Sequence, residues 1–353
     1  SLARAQRLSG DPAAALQILV PLVAPTRSPS RRKLQALVAE ASVKAVLDDH
    51  SGVLATVAQA LGFLERDPDM GSLSLEAELW GWRAWALGHG DRHAEAAEAF
   101  EAALTRARSA GARRVEADLL NRWAVVSWRH GDYDGVEARY GRALDTLREI
   151  GEIERIAVVR FNLGGFQLQR GLLAPALDHL EAALRLFEGM GTQQHASSAR
   201  CNLGQLYLEL GLYEKAQTIS ERALGEMRAS GRRSGEALAR LLLALVAGRR
   251  GELESARRGV AEARELFLGV KQTRDAADAA LDLAEVELEA GEFVAAEILV
   301  DQAEGEGAKD EVADLEIRAL TLRARVLARG EATGILHARQ IMERAFARAA
   351  ELR

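Results

Sequence analysis

Phe161–Leu184 reads FNLGGFQLQRGLLAPALDHLEAAL, and forty residues later Cys201–Leu224 reads CNLGQLYLELGLYEKAQTISERAL. The two stretches align without a gap: Asn162 with Asn202, Leu163 with Leu203, Gly164 with Gly204, Gly171 with Gly211, Ala176 with Ala216, Ala183 with Ala223. A fixed period of this size marks stacked supersecondary units, each of which buries its apolar face only against its neighbours. Outward from this pair, Gly recurs every 40 residues at Gly131, Gly171, Gly211, Gly251 and Gly291, and in a second series at Gly111, Gly151, Gly191 and Gly231. Both ladders predict helix ends, where Gly takes left-handed backbone without a Cβ penalty. The first ladder continues less regularly through Gly90, Asp48–Gly52 and Gly10, and through Gly330 at the other end.

Between the glycines the apolar pattern is helical, as in Val115, Leu119, Leu120, Trp123 and Val126, which step by three and four. Ala176, Ala183, Ala216, Ala223, Ala256, Ala263, Ala296 and Ala303 recur where two helices must approach closely, and a larger side chain there would overpack the contact. The pattern predicts nine helix–turn–helix hairpins, the first incomplete. Irregular hairpins occupy 1–72, regular repeats 73–304, and a last hairpin 305–353, all in one solenoid. PTRSPS (Pro25–Ser30), ERDPDMGS (Glu65–Ser72), GEGAKD (Gly305–Asp310) and GEATG (Gly330–Gly334) read as loops. The chain starts at Ser1 with Leu2, Ala5 and Leu8 already in helical spacing, and its last helix meets no stop signal before Arg353. The expectation is a segment of a longer protein, which the full reading frame would test.

A solenoid core grows lengthwise, so 353 residues fit one such array. The net charge of −6 speaks against direct nucleic-acid binding, which wants a basic face. A single Cys excludes a disulfide framework and fits a reducing, cytoplasmic setting. No apolar run approaches the roughly 18 residues of a membrane span. Neither a phosphate-binding GxxxxGK[ST] loop nor a nucleophile–base pair is present, so no enzyme activity and no cofactor are predicted. His89 and His93 are separated by the Gly90 turn and show no third ligand, and Cys201 with His195 lacks a thiol-protease context. No metal site is predicted.

The copy at Cys201 carries Leu203, Gly204, Tyr207, Gly211, Tyr213, Ala216 and Ala223-Leu224; the copy at Phe161 carries Leu163, Gly164, Gly171, Ala176 and Ala183-Leu184; and Trp80 stands ahead of Ala96 and Ala103-Leu104. This pattern resembles the tetratricopeptide repeat, in a 40-residue form that lacks the closing Pro. It looks like the repeats of bacterial MalT-like and NB-ARC regulators and of kinase-linked repeat proteins. The resemblance implies an all-α, right-handed superhelical solenoid whose first helices line a concave surface. It further implies a protein-interaction scaffold, the sensor or docking arm of a larger bacterial regulator. The alternative is a small-molecule effector sensor of the MalT kind, or a self-assembling spacer.

Carried over by position, the concave face holds Trp82, Trp85, Asn121, Arg122, Phe161, Asn162, Cys201, Asn202, Gln205, Asp282 and Glu285. Asn162 and Asn202 occupy the place that holds a bound peptide's backbone in this family, since an amide both donates and accepts. The matching positions Val158, Ser198 and Leu238 speak against a chaperone-type carboxylate clamp. Trp80 and Trp82 must point apart on a helix, so the Trp80–Trp82–Trp85 group either leaves at least one member in the groove or is buried entirely between stacked hairpins. Asp278, Asp282, Glu285 and Glu289 form one acidic stripe within Asp275–Glu316, a stretch of fifteen acids and one base. The stripe reads as a landing site for a basic partner segment, as a solvated face, or as an attraction between neighbouring repeats.

Overall fold

The computed structural model describes residues 12–23, 30–67, 69, 71–90, 92–307, 313–329 and 332–351. Among these are seventeen α-helices and no strand. The predicted turns at Gly10 and Gly330, and residues 25–29 and 308–310 of the predicted loops, lie outside the described residues, whereas 305–307 and 332–334, expected in loops, are helical. The chain divides into two compact units, one ending at Leu163 and one beginning at Gly164.

Unit one contains α1 (Pro12–Val23), α2 (Arg31–Val46), α3 (His50–Arg66), α4 (Leu73–His89), α5 (His93–Ser109), α6 (Arg113–Arg129), α7 (Val136–Ile150) and the first part of α8 (Ile153–Gln169). Unit two contains the rest of α8, then α9 (Leu173–Gly189), α10 (Gln193–Glu209), α11 (Tyr213–Ala229), α12 (Arg233–Arg249), α13 (Leu253–Gly269), α14 (Thr273–Ala290), α15 (Phe293–Gly307), α16 (Ala313–Leu327) and α17 (Ala332–Glu351).

Most regular repeats end their helices with backbone alone. At the α10–α11 turn Gly211 sits at φ +70°, its N–H bonds Leu208 O at 3.0 Å, and the Leu212 N–H reaches back to Tyr207 O at 2.8 Å. These are the bonds of a left-handed helix terminus. The irregular early hairpins use side-chain caps instead. Ser30 Oγ accepts from the Lys33 N–H, Asp49 Oδ1 from Gly52 and Ser72 Oγ from Leu75. Two positions depart from the predicted glycine ladders. Gly90 has φ −104° and needs no glycine freedom, while Lys271, one period after Gly231, adopts φ +61° in a glycine's place.

Each unit's core runs along its helix pairs. The most buried register recurs at small residues: Ala84, Ala124, Gly164, Gly204, Ala244, Ala284 and Ala324 are all buried. At Gly204 an added Cβ would come within 2.5 Å of Ser220 Oγ, so the α10–α11 crossing is set by the absence of a side chain. Within unit one, α4 touches both α2 and α6; within unit two, α12 touches α10 and α14, and α14 touches α16. The second helices make no comparable contacts with one another among the described residues. The first helices therefore form the inner, concave face of each unit.

Candidate binding groove

In unit one the concave face carries a pocket of about 480 Å³ between α2, α4, α6 and α8. Arg31 comes from α2, Glu78 and Trp82 from α4, Arg114, Asp118 and Arg122 from α6, and Arg155 from α8. Helical spacing explains the set: 78 and 82, and 114, 118 and 122, are each one turn apart, so they share a face. Both lining carboxylates are engaged. Arg155 Nε donates to both Asp118 oxygens, at 2.9 and 3.1 Å, and Arg114 lies 3.9 Å from Glu78. Arg122 stacks its guanidinium 3.8 Å from the Trp82 ring centroid, a cation–π contact of about 0.5–2 kcal/mol. Its Nη1 is buried and has no hydrogen-bond partner among the described residues. Burial pulls Arg122 below the usual arginine range against the opposing pull of Asp118 and Glu78. Burial likewise raises the Glu78 carboxyl, with Arg122 and Arg114 working against it.

A second hollow of about 250 Å³ shares Asp118, Arg122 and Arg155 with the first and adds Asn121. Asn162 Nδ2 donates to Asn121 Oδ1 at 3.0 Å, joining α8 to α6. The structure thus brings Trp82, Arg122, Asn121 and Asn162 onto one continuous face. The amides therefore bond each other across the two helices. The remaining donor of Asn121 and acceptor of Asn162 are the groups such a pair offers a ligand.

The tryptophans separate as helical geometry requires. Trp80 lies between Arg83 and Arg106, at 5.0 and 4.9 Å, against α5, whereas Trp82 lines the pocket. Trp85, expected on the binding face, is instead half-buried in the core and stacked 4.1 Å from His89. Sequence reading missed the surrounding group: His50, Trp85, His89, His93 and His130 form a chain of ring contacts across the inner turns of unit one. Its signal was available, because each of these histidines lies beside an inner turn. No group of His, Cys, Asp and Glu with metal-holding geometry is found among the described residues.

In unit two, Asn202 is half-buried and Gln205 exposed on α10. Cys201 is 1% exposed in the core with Ala223 and Leu242, so it is no surface group, and burial pushes its thiol up to about 12. The acidic stripe of α14 faces arginines of neighbouring first helices. Arg318 lies 3.6 Å from Asp278 and bonds Asp282, Arg325 Nη1 donates to Glu285 at 2.9 Å, and Arg249 Nη1 to Glu289 at 2.5 Å. Of the three sequence readings, attraction between repeats is the one this geometry matches. The repulsion expected along the stripe is offset by these counter-charges. Asp282 itself is buried enough that desolvation raises its carboxyl despite Arg318.

A helical array with a concave first-helix face defines a class of protein, and comparison with known proteins agrees. Residues 155–229 match the tetratricopeptide repeat family, so that stretch of the chain carries tetratricopeptide repeats. Among solved structures, a Rap protein complexed with competence and sporulation factor is similar over 100% of this chain and 98% of its own, with TM-score 0.66 and 15% identity. NprR in complex with its cognate peptide NprX covers 97% of both chains, with TM-score 0.59 and 13% identity. A signal-transduction ATPase with a tetratricopeptide repeat sensor from Pyrococcus horikoshii matches 97% of this chain and 54% of its own, with TM-score 0.56 and 15% identity. At these identities the likeness is one of fold. No curated protein sequence matches the chain. No helix among the described residues is long and apolar enough to cross a membrane.

Proposed function

We propose that the chain is a binding scaffold that holds an extended peptide or protein segment on its concave face, as the sensor or docking arm of a bacterial regulatory protein. The observation that carries this is the Asn121–Asn162 amide pair, at 3.0 Å, whose Asn121 lines the hollow that shares Arg122 with the larger pocket. An amide pair bonds a peptide backbone without regard to its side chains, and the aromatic–arginine stack supplies an anchor of the kind enriched at binding hot spots. The likeness to NprR, solved with a cognate peptide, and to an ATPase with a repeat sensor is consistent with this reading. Asn202 and Gln205 on α10 are the corresponding proposed contact residues of unit two. With the acidic stripe of Asp278, Asp282 and Glu285 engaged by arginines, a basic partner segment is the weaker part of the sequence expectation.

A second reading has one observation in its favour: charged side chains converge on a pocket of about 480 Å³ beside Trp82, enough room for a small effector. Asn121→Ala combined with Asn162→Ala separates the two. Binding of a selected peptide, followed by fluorescence anisotropy, should fall at least tenfold in the double variant if the amides hold a backbone. Unchanged affinity would refute the peptide groove, and retained binding of a small effector by the same variant would favour the second reading.

A further inference from the structure

Resting on the peptide reading, we infer that the unit-one pocket selects a carboxylate: an Asp or Glu side chain of the bound segment. The lining arginines Arg31, Arg114, Arg122 and Arg155 outnumber the lining carboxylates Glu78 and Asp118 by four to two. The pocket is therefore locally positive in a chain of net charge −6. Asp118 is taken up by Arg155 through both oxygens, and Glu78 stands beside Arg114. Arg122 has Trp82 across its guanidinium at 3.8 Å and no acceptor on Nη1. Gly81 of α4 packs against this atom: a Cβ there would lie 3.2 Å from Nη1 and 2.2 Å from Leu119 Cδ2, so the missing side chain is what lets the guanidinium sit over Trp82.

A buried guanidinium N–H without an acceptor is a standing penalty, and an incoming acceptor removes it. A carboxylate fits best. It matches the guanidinium fork, and its charge is stabilised by the excess of arginine. The backbone anchor is next door, because Asn121 lines the hollow that shares Arg122 with this pocket. A peptide held by the amides thus places a neighbouring side chain at Arg122. This reverses the polarity expected from the sequence: the acidic stripe of unit two is paired internally, and the recognition charge is positive and lies in unit one.

The test uses an immobilised heptapeptide library scanned one position at a time, probed with the wild-type chain and with Arg122→Gln, Arg122→Lys and Glu78→Gln. The wild-type chain should enrich Asp or Glu over Lys or Arg at one register position. Arg122→Gln should lower that preference ten- to a hundredfold, the loss of one charge-assisted hydrogen bond. Arg122→Lys, which keeps the charge and loses the fork, should fall between, and Glu78→Gln should raise the preference. Circular dichroism confirms that each variant folds. Peptides retained with no acidic preference, or with one that Arg122→Gln leaves unchanged, would overturn this inference and leave the peptide reading standing. No retained peptide would overturn both. Arg122-dependent binding of succinate, without any peptide, would assign the pocket to a free carboxylate instead.

Discussion

Arg200 in unit two offers a sharp test of how these repeats hold together. Its side chain is 2% exposed, yet it is charged. Nη1 donates to Glu226 Oε2 at 2.6 Å and Nη2 to Glu188. Glu226 also accepts from Ser197 Oγ at 2.6 Å and from Arg222 Nε at 3.2 Å. The two carboxylates differ in exposure, 39% for Glu188 and 16% for Glu226. Removing one partner of a buried pair costs about 3–5 kcal/mol, because the other charge is left buried and unpaired. In Glu226→Ala the guanidinium keeps only the more exposed Glu188, so the expected loss is roughly 2–4 kcal/mol. Arg200→Met removes the buried charge itself and fills most of its volume. Glu226 then retains Arg222 and Ser197 and can be reached by water, so the expected loss is under about 1.5 kcal/mol. The order is the prediction: deleting Glu226, the less exposed of the two acids, should cost more than deleting the buried base.

Urea titration gives the stabilities, with the unchanged slope checked against wild type. Hydrogen exchange on α10 and α11 localises the loss, since stacked repeats open regionally. If Arg200→Met proves as costly as Glu226→Ala, the guanidinium contributes net stability and the desolvation argument fails here.

Burial lowers His89 from 6.5 to about 4 while its Nδ1 bonds Trp85 O at 2.9 Å. The unfolded ring takes its proton first, so this stability is present above pH 6.5 and is lost as pH falls toward 4. The bound is about 3 kcal/mol, cut to roughly 1–2 because the ring is partly exposed, and His89→Gln should flatten unit-one stability between pH 7 and 5. At one register of the repeat, Gly231 has φ +67° and Lys271 has φ +61°. Gly231→Ala should destabilise and Lys271→Gly stabilise, each by about 1 kcal/mol in urea melts; matching signs would refute the backbone argument. Replacing Asp278, Asp282 and Glu285 together by Ala should speed hydrogen exchange in α16 at least tenfold, because Arg318 and Arg325 lose their partners. Unchanged exchange would return the stripe to solvent.

The fold was legible because its determinants are local and repeat. A glycine that must turn left-handed, or a small residue at a helix crossing, is required at the same place in every unit, and so Gly171 and Gly211 or Ala176 and Ala216 announce themselves. Lys271 shows the limit of that signal: tertiary context holds a non-glycine residue at positive φ, and the ladder loses a rung on paper while the turn persists. The groove was legible only in part. Register put Trp82, Arg122, Asn121 and Asn162 forward as candidates for one face, but their mutual contacts are not readable from it. The bond from Asn162 to Asn121 spans 41 residues, and the stack of Trp82 on Arg122 lies between two helices whose lateral offset no single-helix pattern contains. The counter-charges of the acidic stripe were missed for the same reason.

Those counter-charges nonetheless obey a rule that the sequence does carry. Ion pairs between first helices join residues about one repeat apart: Glu78 with Arg114, Asp118 with Arg155, Asp282 with Arg318, Glu285 with Arg325, Arg249 with Glu289. Stacking consecutive first helices at one offset forces this, because a side chain meets the residue 36 to 40 positions on rather than its own helical neighbours. An arginine on the inner face with no acid at those offsets is therefore an exception worth explaining. Arg122 is such a case. One period before it stands Trp82 and one period after it Asn162, neither of them a carboxylate. The structure seats its guanidinium on the first and brings the second to Asn121 at its side. Where the repeat's electrostatics close on themselves, the face serves the stack. At Arg122 one guanidinium nitrogen is left without an acceptor among the described residues, and the carboxylate inferred above would meet it there.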